Sequence, residues 1–496
     1  MLPPMRRLPE LRRLIDQKAY FVLHAPRQTG KTTALAALGM ELTAEGRYVS
    51  TLLSLETGAP FGDEPEVAQD GIVGSWRSAA RAFLPADLQP PEWPAASPAH
   101  RVGAALEAWA RAAPRPLVLF LDEADALRGQ TLLSVLRQLR DGYRSRPAGF
   151  PWSLALIGLR DIRDYRVEED QLGTASPFNI KVVSIRLEDF REDEVGELYA
   201  QHTAETGQVF QPEAVARAFY LSQGQPWLVN ALAKELVEQL VPDPAQPITA
   251  QDVERAKEVL IARKDTHLDS LAARLREPRV RRIVEPMLAG RALGDVSEED
   301  LQFLLDLGLV RIAPGGGVEV ANPIYREVIP RVLITTPRAS LPMIPATWLT
   351  ETGRLASDRL LDAFLVFWRQ HGQPMLGSAH YTEVAPQLVL MAFLDRVANG
   401  GGTIDREYAV GTGRIDLCLR YGPDRLAMEL KVWHPGQRDP LPEGLDQLDR
   451  YLAGLSLDTG WLVLFDRREN QPAIAERTSA ERAETPGGRS VMVIRA

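Results

Sequence analysis

Two stretches of this sequence, far apart along the chain, carry the residue types that phosphate chemistry requires. The first lies near the N-terminus and reads Ala25-Pro26-Arg27-Gln28-Thr29-Gly30-Lys31-Thr32-Thr33. A glycine lets the backbone approach a phosphate, the lysine after it reaches the β and γ phosphates, and the next hydroxyl binds Mg²⁺. Gly30, Lys31 and Thr32 stand in that order, so the stretch predicts a site for ATP with Mg²⁺. Ala25 stands where this pattern usually has its first glycine.

A pair of acidic residues completes the requirements of this nucleotide site. Asp122 and Glu123 follow an apolar run at 116–121. We expect Asp122 to hold Mg²⁺ through water, and Glu123 to orient the attacking water as its base. The alternative is that the glycine-lysine-threonine triplet arises by chance and that the two acids cap a helix. The position of both motifs at the ends of apolar strands favours the nucleotide site.

The second stretch lies near the C-terminus and has the residue types of a metal-dependent nuclease site. Asp416 follows a glycine-bearing turn into a strand, and Glu429 and Lys431 lie in the next strand of the hairpin. Because side chains alternate along a strand, Glu429 and Lys431 share one face. Two charges on an otherwise apolar strand are costly unless something binds them. Carboxylates from neighbouring strands suit Mg²⁺, and a lysine beside them can orient or deprotonate the attacking water.

Lysine is rare in this chain, which makes its positions informative. Seven of the 57 basic residues are lysine, and Lys31 and Lys431 are two of the seven. A compact ammonium suits phosphate or water at these positions, whereas a guanidinium suits planar partners. The placement agrees with both predicted sites, although coincidence also explains it.

Apolar runs and helix-forming segments indicate how these residues are positioned. Buried strands are predicted at 19–24, 116–121 and 153–159. Because helical stretches separate them, the pattern indicates an α/β fold with a parallel sheet covered on both faces. The stretch 58–99 is rich in proline and glycine, and we interpret it as an insertion or a long loop.

Changes in pattern divide the chain into five segments. We expect a P-loop ATPase core at 1–190, a helical lid at 191–276, a winged-helix domain at 277–335, a linker at 336–355 and a C-terminal α/β domain at 356–496. The winged helix either reads DNA or acts as an intramolecular lid, and its near-neutral charge favours the lid.

The overall composition excludes several classes of protein. The chain has 496 residues, of which 45% are hydrophobic and 25% charged, enough for three or four domains with cores. Its net charge of -9 argues against a surface that coats nucleic acid, so any contact must come from local patches. The single cysteine, Cys418, excludes an intrachain disulfide and agrees with a cytoplasmic location. The sequence contains no apolar run long enough to span a membrane.

The N-terminal motifs resemble those of the AAA+ and STAND ATPases, in particular the archaeal-type ATPases, over about residues 1–335. Three motifs carry the resemblance: Gly30-Lys31-Thr32, Leu119-Phe120-Leu121-Asp122-Glu123-Ala124-Asp125, and Gly224-Gln225-Pro226 ahead of the predicted winged helix. The resemblance implies that Pro226 lies near the nucleotide. It also implies that Arg160 or Arg163 is a sensor or a finger for a neighbouring subunit of a homo-oligomer. Each arginine taken alone fits a surface ion pair better.

The C-terminal motifs resemble the PD-(D/E)xK nuclease superfamily over about residues 356–470. The residues that carry the resemblance are Asp416, Glu429, Lys431, Glu383, Gln447 and Tyr451. It implies that Glu383, on a helix before the hairpin, is a further carboxylate beside the metal. Gln447 and Tyr451 lie four apart on one helical face, as in the glutamine-x-x-x-tyrosine helix of several branches. Ile415 replaces the proline that often precedes the aspartate.

Together these features predict an ATP-controlled, Mg²⁺-dependent endonuclease that acts on nucleic acid, with DNA as the expected partner and no contact with membranes. Such architectures occur in mobile-element and phage-defence proteins. The alternative, from another class, is a nucleotide-dependent scaffold or DNA-binding switch in which the nuclease fold only holds a substrate or partner.

Overall fold

The computed structural model describes most of the chain. The described residues are 2–97, 100–159, 183–263, 271, 273–288, 293, 296–313, 315–333, 347–378, 385–398, 402–410 and 413–496. The chain divides into two compact units: unit one comprises Met1–Leu271 with Ser297–Tyr325, and unit two comprises Ala272–Val296 with Arg326–Ala496. The five-segment division of the sequence stays a prediction.

Unit one is built on a parallel sheet. Within the described residues its strands are β1 (Tyr20–His24), β2 (Val49–Ser54), β3 (Leu117–Asp122), β4 (Ser153–Gly158) and β5 (Val183–Arg186). Their order is β2-β3-β4-β1-β5, and each neighbouring pair is parallel. The parallel sheet of the predicted P-loop α/β fold is thus confirmed, and its carboxyl edge carries the ends of β1 and β3.

Helices cover both faces of this sheet. Those that precede or alternate with the strands are α1 (Pro4–Arg7), α2 (Glu10–Asp16), α3 (Lys31–Ala44), α4 (Pro65–Phe83), α5 (Arg101–Ala112) and α6 (Gly129–Gly142). One face buries Trp76, Trp109 and Phe150, and the other buries Phe21 and Phe120. After β5 come α7 (Glu192–Thr206), α8 (Pro212–Ser222), α9 (Pro226–Glu235) and α10 (Ala250–Arg263), within the segment 191–276 that the sequence predicts to be a helical lid.

The prediction of a long loop or insertion at 58–99 was wrong. The helix α4 occupies much of it and buries Ile72 and Trp76 in the core. Pro65 stands at the first helical position, where its missing N–H has no intrahelical partner to lose. Gly71 and Gly74 weaken the helix locally, but the packing of its apolar face outweighs their propensity.

The structure describes five helices and strands between the predicted lid and the C-terminal domain. They are α11 (Pro278–Leu288), α12 (Glu298–Asp306), β6 (Val310–Ile312), β7 (Val318–Val320) and α13 (Pro323–Leu333). The strands β6 and β7 form an antiparallel hairpin, and the three glycines at 315–317 lie between them. Because the division into two units passes through these elements, the winged helix stays a prediction. The predicted linker lies largely outside the described residues.

Unit two contains a mixed sheet. Besides α11 and most of α13, its described helices are α14 (Ser357–Ser378), α15 (Ala385–Ala398), α16 (Leu441–Leu455) and α17 (Ile474–Arg477). Its described strands are β8 (Gly402–Val410), β9 (Gly413–Tyr421), β10 (Asp424–Trp433), β11 (Gly460–Asp466), β12 (Ser479–Glu484) and β13 (Ser490–Arg495), in the order β12-β13-β11-β10-β9-β8. The strand β10 pairs antiparallel with β9 and parallel with β11, so the connection from β10 to β11 crosses over through α16. Of the helices that the structure describes, none is both long and apolar enough to cross a membrane.

Candidate functional site

The phosphate loop of unit one joins the buried strand β1 to helix α3. Gly30 immediately precedes the helix and has a φ of 85°. A residue without a Cβ adopts this left-handed conformation at little cost, so Gly30 lets the chain turn sharply into α3. The N-terminus of α3 then offers unpaired N–H groups and a positive dipole end to an anion.

Lys31 is held inside this loop by backbone carbonyl groups. Its Nζ donates to Ala25 O at 2.7 Å and to Pro26 O at 2.8 Å. Thr29 closes the loop by donating to Pro26 O at 2.9 Å. Burial lowers the pKa of the Lys31 ammonium to about 8, and the charges of Asp125 and Asp122 oppose that decrease. The acceptors that Lys31 uses are neutral, so an incoming phosphate can replace them.

The structure brings together the two residues predicted to hold Mg²⁺ at the nucleotide. Thr32 Oγ1 donates to Asp122 Oδ2 at 2.6 Å, and the other oxygen, Oδ1, accepts from Glu123 N at 2.9 Å. Asp122 is buried at the end of β3. These residues fit a hydrated Mg²⁺ because a hydroxyl and a carboxylate, both hard oxygen donors, face each other beside the anion site.

Glu123 lies beside two polar residues that the sequence analysis did not identify. Its backbone is left-handed, with φ 58° and ψ 40°. Ser54 Oγ donates to Glu123 Oε2 at 3.2 Å and accepts from Glu56 N at 3.0 Å. Burial, and then the neighbouring Glu56 carboxyl, raise the pKa of Glu123 to about 7. Ser54 ends β2, and only the strand order places it beside β3, so no spacing in the sequence could indicate it.

The other residues predicted for the nucleotide site lie in several different places. Arg27, Gln28 and Thr33 are exposed on the loop and the start of α3. Pro226 is the buried first residue of α9, and its carbonyl accepts from Asn230 at 2.7 Å, so its described contacts lie within the lid. A position for Pro226 near the nucleotide stays a prediction. Arg160, like Arg163, lies outside the described residues.

A turn between α12 and β6 lies against the phosphate loop within unit one. A Cβ placed on Gly308, whose φ is 69°, would lie 2.9 Å from Pro26 Cγ. Nearby, Arg186 at the end of β5 donates to Leu305 O at 3.5 Å. Arg311 of β6 bonds to the side chain of Gln223 at the end of α8. The turn therefore contacts both the loop that would hold phosphate and the lid.

The second site begins where the antiparallel pairing of β9 and β10 ends. The described pairs run as far as Met428 with Leu417. Beyond this point Asp416 Oδ2 accepts from Leu430 N at 2.8 Å. A side-chain carboxylate thus replaces a backbone carbonyl as the partner of a strand amide, which anchors Asp416 beside Glu429.

Glu429 and Lys431 lie on one face of β10, as predicted. Lys431 Nζ lies 3.1 Å from Glu429 Oε1. Glu429 is only 3% exposed, and its second oxygen, Oε2, is buried with no hydrogen-bond partner. Burial, and then the charge of Asp416, raise the pKa of Glu429 to about 8, although Lys431 opposes the increase.

The crossover helix α16 contributes further groups to this cluster. Lys431 donates to Gln447 Oε1, and Gln447 Nε2 donates to Glu443 Oε1 at 3.2 Å. Glu443, which the sequence analysis missed, also lies 3.7 Å from Lys431 Nζ. Tyr451, one turn beyond Gln447, packs against the apolar cluster of this face. A catalytic role for Gln447 and Tyr451 stays a prediction.

The carboxylates of unit two meet some of the requirements of a divalent-cation site but supply few ligands. The buried, unpartnered oxygen of Glu429 beside Asp416 is the arrangement that a cation would stabilise. Within the described ranges, however, no group of three or more histidine, cysteine, aspartate and glutamate side chains could hold a metal ion. A cation held by Asp416 and Glu429 would therefore take its remaining ligands from water, backbone or substrate. The predicted third carboxylate, Glu383, lies outside the described residues.

The geometry of unit one, with a parallel sheet and a glycine-containing loop that joins β1 to α3, is that of a P-loop domain. Residues 13–165 match the family model described as an AAA domain. This region of the chain is therefore similar to AAA-type P-loop ATPase domains. The match ends before the lid and leaves the C-terminal sheet without a family. A comparison with curated proteins gives no match.

Solved structures that resemble part of the chain are distant. A Walker-type ATPase of Pyrococcus abyssi is 16% identical, with 66% of this chain and 96% of that chain covered and a TM-score of 0.45. The ORC2 protein of Aeropyrum pernix is 14% identical, with 66% and 91% covered and a TM-score of 0.42. The RuvB Holliday junction branch migration motor of Thermotoga maritima is 16% identical, with 65% and 92% covered and a TM-score of 0.36. TM-scores below 0.5 do not establish a shared fold.

Proposed function

We propose that this protein is an ATP-binding and ATP-hydrolysing switch that controls a Mg²⁺-dependent endonuclease domain acting on nucleic acid, with DNA as the expected substrate. The observation that carries the nuclease half is the convergence of Asp416, Glu429 and Lys431 around a buried carboxylate oxygen that has no partner. The AAA-type domain supports the ATPase half.

In the ATPase domain each residue of the site would have a separate role in phosphoryl transfer. Lys31 would exchange its two carbonyl acceptors for the β and γ phosphates. Thr32 and Asp122 would hold Mg²⁺, which neutralises the charge that develops on the phosphates. Glu123 would orient the attacking water and accept its proton. Ser54 donates to that carboxylate and would fix its direction.

In unit two each residue of the site would likewise have a separate role in phosphodiester hydrolysis. Asp416 and Glu429 would hold Mg²⁺, which polarises the scissile phosphate and acidifies a bound water. Lys431 would orient the attacking water, and Gln447 holds the ammonium in place. The phosphorus gains a bond to the water oxygen as the bond to the leaving oxygen breaks, and the proton of water ends on the leaving group.

The test is a cleavage assay on single- and double-stranded DNA and RNA, with and without Mg²⁺ and ATP. We expect Mg²⁺-dependent cleavage by the wild type, loss of cleavage in Lys431→Ala with ATP turnover intact, and ATP-insensitive cleavage in Lys31→Ala. Lys234→Ala is the matched control, because Lys234 is exposed and makes only a 4.0 Å surface ion pair. Cleavage that survives in Lys431→Ala would remove the proposed site. ATP turnover without any cleavage by the wild type would favour the scaffold.

A further inference from the structure

The strand that carries Glu429 and Lys431 ends at Trp433, on the same face of the sheet. Side chains along a strand alternate, so residues 429, 431 and 433 of β10 project to one side. Two residues of strand extend about 7 Å, so Trp433 lies about that far beyond Lys431. The neighbouring strand places Asp466 opposite Trp433 in parallel register.

The indole ring of Trp433 is fixed by groups from two loops. The guanidinium carbon of Arg468 lies 3.5 Å from the ring centroid. Asp466 holds that guanidinium with two bonds, to Nε at 2.9 Å and to Nη2 at 2.7 Å. The indole Nε1 donates to Gln437 O at 3.1 Å. The ring and the guanidinium therefore form a rigid stack whose orientation is set before any ligand arrives.

This stack is not part of the hydrophobic core. The apolar cluster on this face consists of residues such as Ala427, Leu448 and Leu464, and Trp433 is not among them. Trp433 remains partly exposed, and 33% of the Arg468 side chain is accessible. A large aromatic ring that is fixed but incompletely covered presents a flat apolar surface to solvent, next to the catalytic cluster.

Positive side chains accompany the stack. Arg477 lies close to the stack, because its Nη2 donates to the backbone oxygen of Asp466 at 2.8 Å. Arg495 pairs in register with Leu464, which itself pairs with Lys431, so all three project to one face. The nearest carboxylates to Arg495 lie 3.6 and 3.8 Å away, and the side chain is 33% exposed. Cations that flank an aromatic platform are typical of sites for single-stranded nucleic acid.

We propose that Trp433 and Arg468 form a stacking subsite for one unpaired nucleobase, so that the site takes single-stranded nucleic acid. This inference rests on the proposed function, since it names the substrate class of that nuclease. Unpaired bases stack on aromatic rings and on guanidinium planes. Duplex bases are already stacked within the helix and cannot reach the platform, so the subsite would select against duplex substrates.

The test measures the binding of fluorescently labelled oligonucleotides in the Lys431→Ala background without divalent cation, so that cleavage does not interfere. Trp433→Ala should weaken the binding of single-stranded DNA or RNA about tenfold and leave duplex binding unchanged. Trp433→Phe should retain most of the affinity, because a ring remains. Arg468→Gln should also weaken single-strand binding, because it removes the stacked guanidinium. Arg77→Gln is the matched control and should leave binding unchanged, since Arg77 also stacks on a tryptophan, Trp93, but in unit one.

The two proposals fail in different ways. Equal losses on single strands and duplexes in Trp433→Ala, or no loss on either, would overturn the stacking subsite. If the wild type still cleaves with Mg²⁺ in that case, the proposed function stands. Conversely, single-strand binding that depends on Trp433 without cleavage would support the subsite and overturn the nuclease. A wild type that neither binds nor cleaves nucleic acid would overturn both.

Discussion

The two candidate sites each hold a lysine, but the groups around that lysine differ in kind. Lys31 donates to two neutral carbonyl oxygens, those of Ala25 and Pro26. Lys431 lies among carboxylates, at 3.1 Å from Glu429 and 3.7 Å from Glu443. The first site can therefore exchange its acceptors for an anion. The second places two carboxyl groups around one ammonium, an arrangement that a bound cation would stabilise.

The partners of the acidic residues show the same difference. In unit one Asp122 uses both oxygens, toward Thr32 and toward the N–H of Glu123. In unit two one oxygen of Glu429 is buried without a partner. A buried charge without compensation is costly, which agrees with the raised pKa of Glu429, since burial and the charge of Asp416 favour its protonated form.

The largest expected effect concerns Glu123. Glu123→Gln keeps the size and polarity of the side chain but removes its ability to accept a proton, so ATP turnover should fall about a hundredfold or more. ATP binding should persist because Lys31 and Thr32 are unchanged. Phosphate release and nucleotide affinity measure the two effects, with the exposed Glu205→Gln as control. If turnover persists in Glu123→Gln, the assignment of the base is wrong.

The second prediction separates the two lysines by their ligands. Lys31→Ala should weaken ATP binding at least about tenfold, since the ammonium is the cation that meets the β and γ phosphates. Lys431→Ala should leave ATP affinity unchanged. Calorimetric titration with a slowly hydrolysed ATP analogue measures both variants. A loss of nucleotide affinity in Lys431→Ala would contradict the division of the chain into two independent ion sites.

The third prediction concerns stability as a function of pH. The pKa of Glu429 is raised from 4.5 to about 8 in the folded protein. The resulting stabilisation is fully present below the unfolded value and is lost as pH rises through 8. The amide of Glu429→Gln does not titrate. Without divalent cations, the midpoint of thermal unfolding of this variant should therefore rise relative to that of the wild type as the pH increases from 5 to 8. The gain should be about 3 °C or more.

A control and a cation sharpen this measurement. Glu443→Gln should show no such gain, because Glu443 is 69% exposed in its side chain. Mg²⁺ should raise the midpoint of the wild type at pH 8 and leave that of Glu429→Gln unchanged. A constant difference between wild type and Glu429→Gln at all pH values would show that the carboxyl does not titrate in this range.

The smallest effect is expected at the turn that contacts the phosphate loop. Gly308→Ala places a Cβ 2.9 Å from Pro26 Cγ and should change ATP affinity several-fold by displacing the turn from the loop. Gly316→Ala is a matched control, because Gly316 has a similar positive φ but open space around its Cβ position. Both variants should lose about 1 kcal/mol of stability through backbone strain. An equal change in ATP affinity in both variants would contradict a specific effect of the contact.

The sequence predicted three of the five described strands of the ATPase sheet, β1, β3 and β4, because each is a short apolar run, whereas β2 and β5 were not predicted. It also predicted that Glu429 and Lys431 would share a face, since strand periodicity fixes that relation. The hydrogen bond between Lys431 and Gln447 could not be predicted from sequence spacing, because it depends on how α16 packs across β10. The residue Glu443, one turn before Gln447, could have been found from its helical spacing.

Other features depended on tertiary structure. Helix α4 was missed because Pro65 and two glycines suggested a loop, whereas burial of Trp76 decides the outcome. Glu56 is beside Glu123 only because β2 pairs with β3. The stack of Arg468 on Trp433 joins the loop after β11 to the last residue of β10, which the parallel pairing of the two strands brings together.

The most direct test of the account is divalent-cation binding to the nucleotide-free protein, measured by calorimetry with Mn²⁺ as a stand-in for Mg²⁺. The wild type and Lys31→Ala should bind Mn²⁺ with the same affinity, and Glu429→Gln should lose that binding. Binding that survives in Glu429→Gln but disappears in Lys31→Ala would contradict the claim that the C-terminal carboxylates form a cation site of their own.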